Sequence, residues 1–250
     1  MTHILVQRSD RILEIELARP GKKNAITADM YAAMSDALAS ADADANVHVV
    51  FLHGQADLFS SGNDVAEFLD PALRERGEGQ RFVRTIAATR TPIVAAVGGV
   101  AIGVGATLLL HCDIVVASDE AQFQFPFVTL GLCPEAGSSL VLPQLAGHRR
   151  AAALMLLGEP FDAHQGRDAG MVTEVVPTAQ LMARGRALAT RLAAQPRDAL
   201  FTTKALLRRP LADVLPGQMD AELVEFERLL TGDAARETFR AFLARRGRGA

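Results

Sequence analysis

The spacing of apolar and polar positions changes along this chain, and each change marks an element. Residues 4–7 and 11–17 alternate around Ser9-Asp10, which predicts a β-hairpin. Met30, Met34, Leu38 and Ala41 then recur at helical spacing, behind a Thr27 that can cap the helix. Residues 47–53 read as a strand. Residues 71–91 are charged and amphipathic and read as one surface helix. Short apolar runs at 93–97 and 113–117 have the length of buried strands, and 121–125 and 172–176 add two more. Helices are expected at 149–157 and 163–169, closed by Gly158 and Gly170. After residue 177 only helical spacing remains, with breaks expected near Pro196, Pro210 and Pro216. The pattern predicts an α/β core over 1–177 and an all-α region over 178–250.

Between the two central runs, Gly98, Gly99, Gly103 and Gly105 fall within eight residues. Glycines at this density permit φ > 0 and close approach of the backbone to a neighbour. They read as one turn that delivers the start of a buried helix, at 106–111, into the interior. Free N–H groups and the positive helix end would gather there and could hold an anion or a developing oxyanion. A glycine-rich packing turn is the other reading. No Gly-Lys-Ser/Thr follows, so this is not a Walker loop, and Leu108 spoils a dinucleotide fingerprint.

Composition narrows the function. The net charge of −3 gives no global case for nucleic acid. Cys112 and Cys133 sit in apolar contexts without CxxC or a paired His, as reduced cysteines of a cytoplasmic protein do. The N-terminus shows no signal pattern, and no 18-residue uncharged run suggests a membrane span. No HExxH or carboxylate cluster suggests a metal.

Two small-residue turns, Ser61-Gly62-Asn63 and Gly103-Val104-Gly105, could aim two backbone N–H groups at one oxygen. His53, His111, His148 and His164 lack a local motif and read as structural or surface residues. That leaves Glu135 as the candidate acid or base. It follows a proline between apolar segments, where desolvation would raise its proton affinity. Its competing reading is a charge placed at the N-terminus of the helix that begins near Ser138.

The chain resembles the crotonase family of enoyl-CoA hydratases and isomerases over nearly its whole length. The resemblance rests on Arg19-Pro20, Asn24-Ala25-Ile26, Phe59-Ser60-Ser61-Gly62-Asn63-Asp64-Val65, residues 92–97 with the glycine turn, and Cys112-Asp113. It continues through Ala121-Gln122-Phe123, Gly170-Met171-Val172 and Ala241-Phe242-Leu243. It implies a spiral of ββα units, with a helical C-terminal region that assembles subunits into trimers or hexamers. The ligand it implies is an acyl-CoA thioester, so coenzyme A arrives with the substrate and no separate cofactor is expected. It places the oxyanion donors at the N–H groups of Asn63 and Val104. It places CoA contacts near Lys23, Ala25, Ser61, Gly62, Asp64 and Val65, with Phe242 and Arg245 from the terminal helix.

Two positions depart from the hydratases. Their paired glutamates fall on Thr107 and Phe127, which cannot transfer a proton as a carboxylate does. The 3-enoyl to 2-enoyl-CoA isomerases are more similar. They share Ser-Ser-Gly-Asn-Asp, Thr-Leu-Leu at 107–109, and Pro-Glu-x-x-Ser-Ser at 134–139, with the Glu as sole base. Other crotonase chemistry, hydration included, is the alternative. Some relatives bind RNA, but the basic tail Arg245-Arg246-Gly247-Arg248 lacks interleaved aromatics. Neither nucleic acid nor membrane is an expected partner. Leu69, Phe82, Phe127 and Leu132 are candidates for the acyl pocket.

Overall fold

The computed structural model describes residues 3–246, apart from the side chains of 68, 71 and 241–246. Strands β1 (Ile4–Ser9) and β2 (Ile12–Leu17) form the expected hairpin, turned at Asp10 with φ 52°. Helix α1 (Ala28–Ala43) follows, and Thr27 accepts the Met30 N–H at 3.2 Å. Strand β3 (Val49–His53) comes next, then three helices, α2 (Val65–Phe68), α3 (Pro71–Glu75) and α4 (Glu78–Ala88). The single helix expected over 71–91 is thus two. Gly77 stands between them with φ 68°, a left-handed value that ends α3.

Strand β4 (Ile93–Val97) and strand β6 (Ile114–Ser118) are the two central apolar runs. The glycine stretch between them is not one turn. Strand β5 (Val100–Ile102) lies inside it, followed by α5 (Val104–Thr107) and a 3-10 turn over Leu108–His111. Strand β5 lies among the four glycines, so the sequence reads it as part of their turn. The corner from β4 into β5 needs glycine at 98, because a Cβ there would fall 1.9 Å from the Ala56 carbonyl oxygen. The remaining strands are β7 (Gln122–Gln124), β8 (Phe161–Asp162) and β9 (Glu174–Val176). Helices α6 (Ser138–Ala146), α7 (His148–Leu157) and α8 (Ala163–Asp168) lie between β7 and β9.

The six-stranded sheet has the order β1-β2-β3-β4-β6-β9, parallel from β2 onward. A smaller sheet runs β5-β7-β8. In β3 and β4 every residue is buried, and alternate side chains enter two different cores. Val50, Leu52, Ile93, Ala95 and Val97 face the main core. Val49, Phe51, Val94 and Ala96 face helix α9 (Leu181–Ala193), whose Leu181, Ala189 and Ala193 cover that side. A strand buried on both faces reads as a continuous apolar run, which is the pattern in the sequence.

Three helices complete the chain: α10 (Arg197–Ala212), α11 (Leu215–Leu230) and α12 (Asp233–Arg246). The break expected near Pro210 falls at 213–214, just after Pro210 itself. The proline sits in the last turn, where its missing N–H removes a single bond, and the helix ends two residues later. Phe226, Leu230 and Phe239 bury themselves in the main core of their own chain. Among the described residues, no helix is long and apolar enough to cross a membrane.

Lys204 ties α10 to the sheet. Its ammonium, 6% exposed, donates to the Thr91 carbonyl at 2.8 Å and to Asp113 Oδ2 at 2.7 Å. Replacing Lys204 by Met keeps the volume but leaves both acceptors short of a donor. The variant should lose about 3 kcal/mol of stability, as when one partner of a buried pair is removed. Urea unfolding followed by circular dichroism measures it, and an unchanged midpoint would contradict the tie.

Candidate active site

The segment 60–64 is laced to the loop 19–27 that precedes α1. Asn24 holds Arg19 N at 2.7 Å and the Phe59 carbonyl at 2.9 Å with its side chain. Ser60 Oγ donates to Asn24 O at 2.9 Å, and Ser61 N donates to Lys23 O at 3.0 Å. Arg19 reaches both Ala25 O, at 2.9 Å, and Asp64 Oδ2, at 2.7 Å. Burial alone would lift the Asp64 carboxyl, but Arg19 and the N–H groups of Ala66 and Glu67 outweigh it and hold it below its usual range. Asp64 also caps α2. Its carboxylate is therefore occupied by the protein itself. Val65 opens α2.

Asn63 pairs with Ile26 as an isolated parallel bridge. Ile26 N donates to Gly62 O at 2.8 Å, and Asp64 N donates to Ile26 O at 2.9 Å. In a parallel bridge this pattern turns the Asn63 N–H away from Ile26. On its other side the segment runs along β5, with Ser60 bridged to Ala101. Gly62 has φ 87°, and a Cβ there would lie 2.7 Å from Ile102 O, so only glycine lets the two backbones meet. The bridge to β5 thus brings the Asn63 turn beside the Val104 turn. Val104 is the first residue of α5, so its N–H has no acceptor within that helix. Because α5 is a single turn, what it offers is this N–H rather than the dipole of the longer helix expected at 106–111.

Glu135 enters from the other side. Thr107, on α5, donates its hydroxyl to Glu135 Oε1. The carboxylate is enclosed by protein, while the residue keeps some exposure to the cleft. Burial pushes its pKa up, the Thr107 bond pulls it back, and the negative Glu222 pushes it up again, to about 7. Glu135 does not serve the α6 N-terminus. Glu222 of α11 does, accepting from Gly137 N at 2.6 Å, Ser139 N at 2.9 Å and the Ser139 hydroxyl. The hydrogen bonds that a helix-end charge would make are thus made by Glu222, not by Glu135. Glu222 itself carried no local signal, because its partners lie more than 80 residues away.

Asn63, Asp64 and Glu135 line one cleft of about 150 Å³, together with Tyr31, Glu222 and the apolar Leu73, Val83, Met219, Leu223, Phe226 and Leu230. Val104 is buried beside this cleft rather than on its wall. The four acyl-pocket candidates do not line it. Phe82, for one, packs behind the Tyr31 ring, with centroids 5.3 Å apart. Phe242 and Arg245 lie in α12, and their side chains are outside the described residues. His111 is structural: burial drops its pKa to about 4, so the neutral ring donates Nε2–H to Ala136 O at 2.7 Å.

Comparison with known proteins assigns the class. A family model described as "Enoyl-CoA hydratase/isomerase" matches residues 7–248, and the chain belongs to this family, the crotonases. A crystal structure of an enoyl-CoA hydratase/isomerase from Pseudoalteromonas atlantica T6c superposes with a TM-score of 0.92, at 36% identity, covering 98% of each chain. The chain is 37% identical over 213 residues to "Enoyl-CoA delta isomerase 2" of Rattus norvegicus, covering 82% of this chain and 54% of the rat protein. It is 31% identical over 248 residues to "2,3-dehydroadipyl-CoA hydratase" of Escherichia coli K12, covering 98% and 97%. The protein is thus an enzyme with a crotonase-type reaction on an acyl-CoA thioester, and its relatives include both isomerases and hydratases.

A carboxyl with a raised pKa binds its proton more tightly folded than unfolded. Its contribution to stability is intact below about pH 4.5 and is lost as pH rises to about 7. Glu135→Gln, which cannot ionise, should therefore match the wild type at pH 4.5 and exceed it above pH 7 by roughly 2–3 kcal/mol. Unfolding curves across this range test the sign. An equal difference at all pH values would mean that Glu135 ionises as freely as in water.

Proposed function

We propose that the protein shifts the double bond of 3-enoyl-CoA to the 2-position, with Glu135 as the sole proton carrier. One observation carries this reading: Glu135 is the cleft carboxylate left without a cationic or backbone N–H partner among the described residues. The others are engaged. Asp64 has Arg19, Glu67 has Ala28 N at 2.9 Å, Glu78 has Arg81 at 3.3 Å, Glu222 has the α6 N-terminus and Glu227 has Arg74 at 3.5 Å.

Ionised Glu135 takes a proton from C2. The electron pair spreads over C2, C4 and the thioester oxygen, and the N–H groups of Asn63 and Val104 hold that oxygen. Protonated Glu135 then returns the proton to C4, leaving the double bond between C2 and C3. A pKa near 7 suits both steps, because the group must accept and release one proton at neutral pH. Loss of one oxyanion donor typically costs about 3 kcal/mol. Thr107, at a hydratase glutamate position, already spends its hydroxyl on Glu135, which supports isomerisation over the addition of water.

The laced loops support CoA contacts along Lys23, Ala25, Ser61, Gly62, Asp64 and Val65, with Phe242 and Arg245 added from α12. The free thiols of Cys112 and Cys133 support a cytoplasmic setting. Leu206 and Leu207 of α10, Val214 just before α11 and Val224 of α11 stay exposed, up to 77% for Leu207, which supports homo-oligomers, as trimers or hexamers.

Glu135→Gln should slow isomerisation of 3-hexenoyl-CoA at least about 100-fold while leaving binding of a saturated acyl-CoA nearly unchanged. Near-full activity would place the base elsewhere. Hydration of crotonyl-CoA by the wild type should stay far below the roughly 10 per second typical of enzymes, and product analysis would reveal a hydratase if it does not. Light scattering at micromolar concentration should give an oligomer's mass, and a monomer's mass would reject the assembly.

A further inference from the structure

Tyr31 belongs to no motif of the sequence, yet its hydroxyl faces the cleft that holds Asn63 and Glu135. It donates to Asn63 Oδ1 at 2.6 Å. The side chain is buried, and its ring is clamped on α4. Phe82, itself buried, tilts against it at 5.3 Å, and Gly79 lies where even a Cβ would come within 3.6 Å of the ring. Tyr31 N donates to Thr27 O at 3.0 Å in the first turn of α1. The donor thus stands on a helix, with its ring packed against α4.

The acceptor stands on a less regular piece of chain. Backbone bonds to Ile26 hold the flanking Gly62 and Asp64, but neither uses the N–H or carbonyl of Asn63 itself. A hydrogen bond on the Asn63 side chain supplies a third anchor, on the residue whose N–H is assigned to the thioester oxygen under the proposed function. Burial and the nearby Glu135 charge push the Tyr31 pKa well above its ordinary value, so the hydroxyl remains a donor throughout the working pH range.

We propose that Tyr31 is a positioning residue of the oxyanion site, fixing the Asn63 N–H through the Asn63 side chain. The proposal rests on the assignment of the Asn63 and Val104 N–H groups as oxyanion donors. It makes Tyr31 a determinant of carbonyl polarisation rather than of acyl-CoA affinity.

The test binds hexanoyl-CoA, labelled with ¹³C at the thioester carbonyl, and reads that carbonyl by isotope-edited infrared difference spectroscopy. Wild type should shift the stretch to lower frequency, and Tyr31→Phe should shrink the shift. Turnover of 3-hexenoyl-CoA by Tyr31→Phe should fall about fivefold in kcat, as for loss of one hydrogen bond, with KM changed less than about twofold. Asn63→Ala keeps the N–H and removes the acceptor, so it should lose a similar factor. The double variant should be no slower than Asn63→Ala, whereas independent roles would multiply to about 25-fold. An undiminished carbonyl shift in Tyr31→Phe, or multiplied losses, overturns the proposal. A wild type with no carbonyl shift overturns the oxyanion assignment and Tyr31's role with it. A shift that Tyr31→Phe leaves intact overturns Tyr31's role alone.

Discussion

Glu222 reaches from α11 to the first turn of α6, and the arrangement of the site depends on that contact. The start of α6 presents N–H groups that need an acceptor. The turn before it is unusual, with Ala136 at φ 60° and Gly137 at φ 70° in succession. A left-handed alanine costs on the order of 1 kcal/mol and persists where its surroundings hold it. Here Glu222 takes Gly137 N and Ser139 N from one side, and His111 holds Ala136 O from the other. Ser138 N and Oγ close on the Glu135 carbonyl at 3.1 and 2.6 Å. With its backbone fixed and the helix end already satisfied, the Glu135 side chain is left to face Thr107 and the cleft.

The same contact places a second carboxylate near Glu135. Glu135 and Glu222 lie close enough for one charge to raise the pKa of the other. Glu222 accepts two backbone N–H groups and a hydroxyl, whereas Glu135 accepts one hydroxyl. In an enclosed site, donors count for more than they would in water. Burial first, and then the Glu222 charge, lift the Glu135 pKa to about 7, and a group poised near neutrality can take up a proton and give it back. A residue of the C-terminal helical region thus shapes the chemistry of a turn in the α/β core.

Much of this was legible in the chain. Period-two alternation marked β1 and β2, and uninterrupted apolar runs marked β3, β4 and β6. Thr27 and Gly158 marked helix ends, each through local backbone chemistry. The Asn63, Val104 and Glu135 segments stood out because turns and isolated acids leave local signatures, and Asn63 and Glu135 share one cleft. What stayed hidden was non-local or short. Strand β5 lies among glycines that read as a turn, and β8 has two residues, too few to show a period. Glu222 lies on a helix whose spacing says only that it is a helix, and Tyr31 reads as one more apolar position of α1. Their partners are set by the fold, across 32 residues for Tyr31 and 85 for Glu222. The exposure of α10 was hidden in the same way, since a helical stripe does not say whether its cover is this chain or another.

In the proposed reaction one carboxylate, Glu135, carries the same proton from C2 to C4. The most direct measurement starts from 3-hexenoyl-CoA deuterated at C2, in ordinary water, and reads the early product by NMR. The proposed isomerisation yields 2-hexenoyl-CoA with deuterium at C4, because Glu135, enclosed by protein except towards the cleft, returns what it removed. Product that carries only solvent hydrogen at C4, or a 3-hydroxyacyl-CoA in its place, would contradict it.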